Sequence, residues 1–253
     1  MRLRVLCSLI AVFILFAGRA FGAHPLITDD TGTQGKGGWQ LEINGEFARD
    51  DADGARTDTL GVNPAIISYG ATDTTDIVLS IPYLFVRTEE RGEENEEHGL
   101  SDIVLEVKWR FFEHEGLSLA LKPGISLPTG DDDKGLGAGK AAGSLFLIST
   151  KEFEKTAVHV NLGYIRNENT GGEKEDLWHA SVAGERSVAE KLCLVGNIGI
   201  ERKPDGSDDH PAFALLGVIY SPSENLDLDL GVKAGLNEAA DDFSVLAGIT
   251  RRF

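Results

Sequence analysis

Cysteine is almost missing from this chain, as are methionine and, beyond the first two dozen residues, any long apolar run. Its 253 residues hold two cysteines, Cys7 and Cys193, and one methionine. No disulfide framework can be built if Cys7 is removed with a leader. The lack of an apolar stretch near the ~20 residues that a membrane helix needs excludes helical spans. Positive charge is also short: 24 Lys and Arg stand against 41 Asp and Glu, a formal charge of −17. That balance argues against nucleic acid as a partner and against docking on anionic lipid through basic residues. Helical periodicity is missing too.

The N-terminus has the layout of a signal peptide over residues 1–22. Arg2 and Arg4 form a positive start, Val5 to Gly18 an apolar stretch, and Ala20-Phe21-Gly22 places small residues for cleavage before Ala23. Cleavage removes Arg2, Arg4 and Arg19 and no acid, taking the formal charge from −17 to −20. Cys7 sits inside the apolar stretch and not after a lipobox, so a lipoprotein is not indicated.

What the chain does have is period-two alternation from Trp39 to its last residue. Leu117, Leu119, Leu121, Pro123, Ile125 and Leu127 interleave with Ser118, Ala120, Lys122, Gly124 and Ser126. Leu226, Leu228, Leu230 and Val232 interleave with Asp227, Asp229, Gly231 and Lys233. One face of each strand is therefore apolar and the other polar. Twelve such segments are predicted: 39–49, 57–69, 74–88, 100–112, 117–128, 140–151, 156–167, 175–187, 192–202, 210–220, 226–236 and 242–253. Five connections are short ("YGATD", "FEHEG", "EFEK", "VAEK", "SPSEN"). The other six are mostly longer and acidic, among them "DDADGA", "TEERGEENEEHG", "PTGDDDKGLGAG" and "NENTGGEKE". Short and long connections in alternation, with an even strand number, predict an all-β, antiparallel up-and-down transmembrane β-barrel. Its periplasmic turns would be short and its external loops longer and acidic.

A soluble sandwich or lipocalin-like barrel alternates as well, with the apolar face inward. Three features favour the membrane barrel. Aromatic residues gather near strand ends: Trp39, Tyr69, Trp109, Phe111, Tyr220 and Phe253 at one end, Tyr83, Phe85, Tyr164, Trp178, Phe213 and Phe243 at the other. Glycine is frequent on the polar face. The chain also stops on a strand, which closure permits. Pro64, Pro82 and Pro123 fall inside strands and are read as bulges. His179 and Ser181 land on the outward row of the eighth strand, which asks for a register shift of one residue there. Arg251 shares the outward row of the last strand with Phe243, Val245, Ala247 and Ile249.

Three stretches carry a family resemblance: "HPLITDDTGTQGKGGWQLEINGEF" (His24–Phe47), "YGATDTTDIVLSIPYLF" (Tyr69–Phe85) and "GISLPTGDDDKGLGAGK" (Gly124–Lys140). With them the chain resembles the outer-membrane family known as MetA-pathway of phenol degradation. The resemblance implies a barrel for the passage of small, often aromatic, compounds. It also implies that the C-terminal strand is recognised by the barrel assembly machinery. It brings no catalytic residues, and Arg251 departs from the aromatic that the common terminal signature places third from the end.

No nucleophile constellation emerges from the residues. The mature histidines are His24, His98, His114, His159, His179 and His210, and there is neither an Asn-His-Ser run nor a Gly-x-Ser-x-Gly elbow. An acidic site at Asp208, Asp209 and His210 reads as a solvated loop. "GLGAGK" fails the phosphate-loop spacing, since Ala141 stands where Ser or Thr is needed. "DDADG" and "GDDDKG" lack the ligand order of a calcium loop. No catalytic residue, cofactor or metal ligand is assigned. The residues predicted to line a pore are Glu42, Glu46, Asp76, Glu106, Lys108, Arg110, Lys122, His159, Asn161, Glu201, Asp227, Asp229 and Lys233. The Gly- and Thr-rich segment 23–38 could fold back as an inner plug ahead of the barrel, 39–253. The expected partners are outer-membrane lipid, lipopolysaccharide and a small solute. The expected function is passive passage; an outer-membrane barrel enzyme or adhesive barrel, and a soluble periplasmic barrel, are the alternatives.

Overall fold

Alternating side chains force each segment to choose an inside, and the choice is unambiguous. The computed structural model describes residues 24–52, 55–90, 92–204 and 210–253; the proposed signal peptide and Asp208–Asp209 lie outside the described residues. Outward rows are apolar and bare, with Leu216 at 76% exposure and Ile198 at 58%. Inward rows carry polar groups that are fully covered, among them Thr150, His159, Ser244 and Thr250. In water this arrangement would be inside out, so the soluble alternative falls; in a bilayer the closed wall pairs its strands with one another and offers hydrocarbon to hydrocarbon. No helix among the described residues is long and apolar enough to cross a membrane.

Among the described residues thirteen strands form one closed antiparallel sheet: β1 (Trp39–Ala52), β2 (Ala55–Thr72), β3 (Thr75–Glu90), β4 (Glu93–Leu100), β5 (Ile103–His114), β6 (Leu117–Leu127), β7 (Ala142–Glu152), β8 (Thr156–Arg166), β9 (Asp176–Ala189), β10 (Leu192–Glu201), β11 (Ala212–Ser223), β12 (Leu226–Gly235) and β13 (Phe243–Arg252). β4 and β5 both pair with β3, as two pieces of one broken strand, so the barrel has twelve staves. β13 pairs with β1 from Gln40↔Arg252 to Arg49↔Phe243 and closes the wall. The Phe253 amide then donates to the Trp39 carbonyl at 2.9 Å, extending the seam by one residue.

The five tight turns gather at one end. The β5–β6 turn is two residues, Glu115 and Gly116, both at positive φ, which suits the right-handed twist of a two-residue hairpin. At the other end two expectations are corrected. "DDADGA" and "TEERGEENEEHG" are largely strand, not loop: β1 and β2 run on until Ala52 faces Ala55, and β3 runs on until Glu90 faces Glu93. The cause is charge pairing across the ladder. Arg49 forks onto Asp58 at 2.6 and 2.9 Å, Arg56 reaches Asp51 at 2.7 Å, and Arg87 pairs with Glu94.

The prolines divide. Pro64 lies in a bulge between Val62 and Ala65, and Pro82 sits at the β4–β5 break, where its carbonyl accepts from Ser101. Pro123 is no bulge: it faces Leu145 in an unshifted register. An unexpected bulge lies between Arg110 and Phe112, leaving both Phe111 and Phe112 outside. His179 and Ser181 face inward on β9, with Trp178 and Val182 on the other face. Phe213 is also inward, not part of an outer belt, and its ring covers Gly199 of β10.

Candidate functional site

Residues 24–38 run through the lumen as an extended strap. A Thr-, Asp- and Gly-rich chain has little side chain to bury, but each backbone N–H inside a barrel still needs an acceptor. Inward side chains supply them. Asn197 Oδ1 accepts from both Ile27 N (2.9 Å) and Thr28 N (3.0 Å), Thr150 Oγ1 from Thr31 N (3.1 Å), and the Asp76 carboxylate from Gln34 N (3.0 and 3.1 Å). Asn161, with its amide turned to match, accepts from Asp29 N and donates to Asp29 O. Thr28, Asp30, Thr31 and Thr33 are buried as a result. The strap joins the wall where Gly37 N donates to Gly70 O and Gly70 N to Gly38 O. A Cβ on Gly70 would fall 1.7 Å from Gly35 O, so this approach needs glycine.

Charge anchors the middle and the start of the strap. Asp29 lies 2.8 Å from Lys108 Nζ and 3.0 Å from Lys122 Nζ, and Lys122 also reaches Glu106 at 3.0 Å. Burial alone would raise the Asp29 carboxyl, but the two ammonium charges outweigh it and hold the group below the usual carboxylate range. At the start, His24 Nδ1 meets Asp229 Oδ1 at 2.5 Å.

Beside the Asn197 contact, hydroxyls and an imidazole run in series. Asn197 Nδ2 donates to Thr28 Oγ1 (2.7 Å), Thr28 Oγ1 to Ser181 Oγ (2.7 Å), and Ser181 Oγ lies 2.8 Å from His179 Nε2. His179 Nδ1 lies 3.0 Å from Glu201. A serine, a histidine and a carboxylate in sequence have the order of a hydrolase triad. Ser181 is covered by the strap, however, and the neighbouring backbone amides are engaged in the sheet ladder, so no donor pair faces it as an oxyanion site.

The sequence-predicted positions separate into two groups. Asp76, Lys108, Lys122, Asn161 and Asp229 touch the strap directly. Glu106 braces Lys122, Glu46 pairs with Lys233 (2.5 Å), and Asp227 accepts from Arg252 (2.6 Å) and Ser221 (2.6 Å). Glu201 holds His179, Arg110 pairs with Glu113 (3.2 Å), and Glu42 accepts from Gln40 (2.7 Å). His159 is fully buried between Thr150 (2.9 Å) and Glu185 (3.5 Å). Asn197, Thr150, Ser118, Ser181 and Glu185 were missed: Asn197 and Ser118 lie four residues from Glu201 and Lys122 on the same inward faces, while Thr150, Ser181 and Glu185 belong to β7 and β9, where no lining residue is predicted.

The aromatics sit outside in two tiers. Trp39 and Tyr69 (ring centroids 4.5 Å apart), Trp109, Phe111, Tyr220 and Phe253 lie toward the tight turns, and Tyr164 and Trp178 toward the loops. His210 makes an edge contact with Trp178 at 4.9 Å. Among the described residues no three of His, Cys, Asp and Glu converge on a metal position.

Comparison with known proteins agrees with this geometry. The fold is similar to the COG4313 outer membrane channel from Pseudomonas putida F1, with TM-score 0.68 and 18% identity over 88% of this chain and 98% of that one. It is also similar to the NanC porin (TM-score 0.54, 7% identity, 83% and 98% covered). A third likeness is to the CymD monoaromatic hydrocarbon channel (TM-score 0.50, 8% identity, 87% and 89% covered). A search of curated proteins gives no match. The family model described as "Putative MetA-pathway of phenol degradation" matches residues 24–253, and this outer-membrane barrel belongs to that family.

Proposed function

We propose that this barrel is a passive outer-membrane channel for small solutes, with residues 24–38 as a plug that sets how far the lumen is open. The observation that carries the reading is how the strap is attached. Up to its junction with Gly70 at Gly37 and Gly38, it holds to the wall through side chains and ion pairs, not through a β-ladder, so residues 24–36 can shift without opening the barrel. Apolar inward groups such as Phe213, Val195 and Leu215 among the charges suit a solute with an aromatic or hydrophobic part. The likeness to channels, one of them a monoaromatic hydrocarbon channel, supports the same reading. Passage needs neither cofactor nor turnover.

Planar-bilayer recording tests it. The chain lacking residues 24–37 is expected to conduct several-fold more than the intact protein. Unchanged conductance would overturn the plug, and no conductance from either form would overturn the channel.

A further inference from the structure

Asn44 on β1, Gly248 on β13 and Asp229 on β12 are direct cross-strand neighbours, one row across three strands. All three face the lumen. Because the middle residue has no side chain, the row has a gap at its centre. Three atoms close around that gap: Asp229 Oδ2 lies 2.5 Å, and Asn44 Oδ1 and His24 Nδ1 each 2.7 Å, from the point where a Cβ on Gly248 would stand.

Two of these atoms are orphans. Asn44 Oδ1 and Asp229 Oδ2 are buried without a hydrogen-bond partner, and their residues are each only 8% exposed. A buried acceptor left unmet destabilises the fold, and here two aim at one place. The orientation of Asn44 is held from behind: its Nδ2 faces Glu42 Oε2 at 3.4 Å, which turns the amide oxygen toward the gap. Asp229 has His24 as its one partner among the described residues, through its other oxygen.

We propose that this gap is a metal-ion site, which takes one divalent first-row transition ion of the zinc type on His24 Nδ1, Asn44 Oδ1 and Asp229. Acceptors without donors, one carboxylate among them, call for a cation. The imidazole nitrogen selects against calcium and magnesium, which take oxygen ligands, and the absence of thiolate selects against soft monovalent copper. Three protein ligands fall one short of a closed tetrahedral set, and a water would complete it. Binding needs the Nδ1 lone pair, so the proton shared with Asp229 moves to Nε2 or leaves to solvent. The ion would join the start of the strap to β1, β12 and β13 at once. The proposal rests on the position of the strap and not on the channel reading.

The test is calorimetric titration of the detergent-purified, chelator-treated protein with zinc, and with calcium as the comparison. One zinc per chain is expected, with calcium far weaker. His24→Ala lies on the strap, outside every ladder, and is expected to weaken zinc by about ten-fold or more. Gly248→Ala puts a methyl group in the gap and is expected to abolish the site; heat-modifiable gel migration reports whether that variant still folds, and His24→Ala decides if it does not. Zinc affinity equal in His24→Ala and the parent, or no stoichiometric uptake, would overturn the site. Both results are independent of conductance, so the channel reading stands or falls separately.

Discussion

Asp29 Oδ1 lies 2.8 Å from Lys108 Nζ, an ion pair that ties the strap to β5 across the lumen. Removing one partner of a covered pair leaves the other charge unmet, which costs more than the pair contributes. Asp29→Ala is therefore expected to loosen the strap and raise single-channel conductance several-fold, while gel migration still reports a folded barrel. Conductance at the parent level would assign the hold to the Asn197 and Asp76 contacts instead.

The same pair gives a pH dependence. Asp29 has its folded-state carboxyl held low, so its contribution is complete above the ordinary carboxylate value of ~3.9. It is lost only as pH falls through the lower folded value. The part of the conductance that depends on Asp29 should stay flat from neutral pH to ~4 and rise only below that. In Asp29→Asn the acid rise should vanish. Bilayer recordings across that range read both outcomes.

Leu230 is outward near the middle of β12 and faces Ala247 and Val218 on its neighbours. Leu230→Arg should cost about 2–4 kcal/mol of folding stability in lipid vesicles, against about 0–1 kcal/mol for a lipid-facing Arg near the interface such as Arg251. Denaturant titration of vesicle-folded protein measures the difference. Equal costs would place the membrane band elsewhere on the barrel.

The rim should favour cations. Glu93, Glu94, Glu96 and Glu97 line the outer hairpin of β3 and β4, where Arg87 is their nearby cation. Reversal potentials in a salt gradient should show cation preference, weakened when these four become glutamine. Anion preference in the parent would refute the claim.

Phe253 ends the seam on Trp39. Deleting it should lower the amount of assembled barrel in the outer membrane several-fold, as judged by heat-modifiable migration of membrane fractions. Undiminished assembly would remove the terminal residue from the recognition signal.

By itself the sequence determined the barrel. Period two, five short turns and an even strand count specify an up-and-down sheet, because a one-residue slip would turn an entire face over. Even the misfit of His179 and Ser181 was visible as polar residues on an apolar row. Where the sheet ends was not visible, because "TEERGEENEEHG" looks like a loop until Arg87 is set opposite Glu96 and within reach of Glu94. The bulge at Phe111 and the inward turn of Phe213 depend on neighbours that only the closed wall provides. In the lumen the sequence offered a candidate plug and inward faces, but tertiary structure decided the contacts. Alternation says that Asp76, Lys108 and Asn161 point inward, but not that one strap collects them. Nor could spacing bring His24, Asn44 and Asp229 around Gly248: these residues are distant in sequence, and closure of β13 between β1 and β12 is what makes them neighbours.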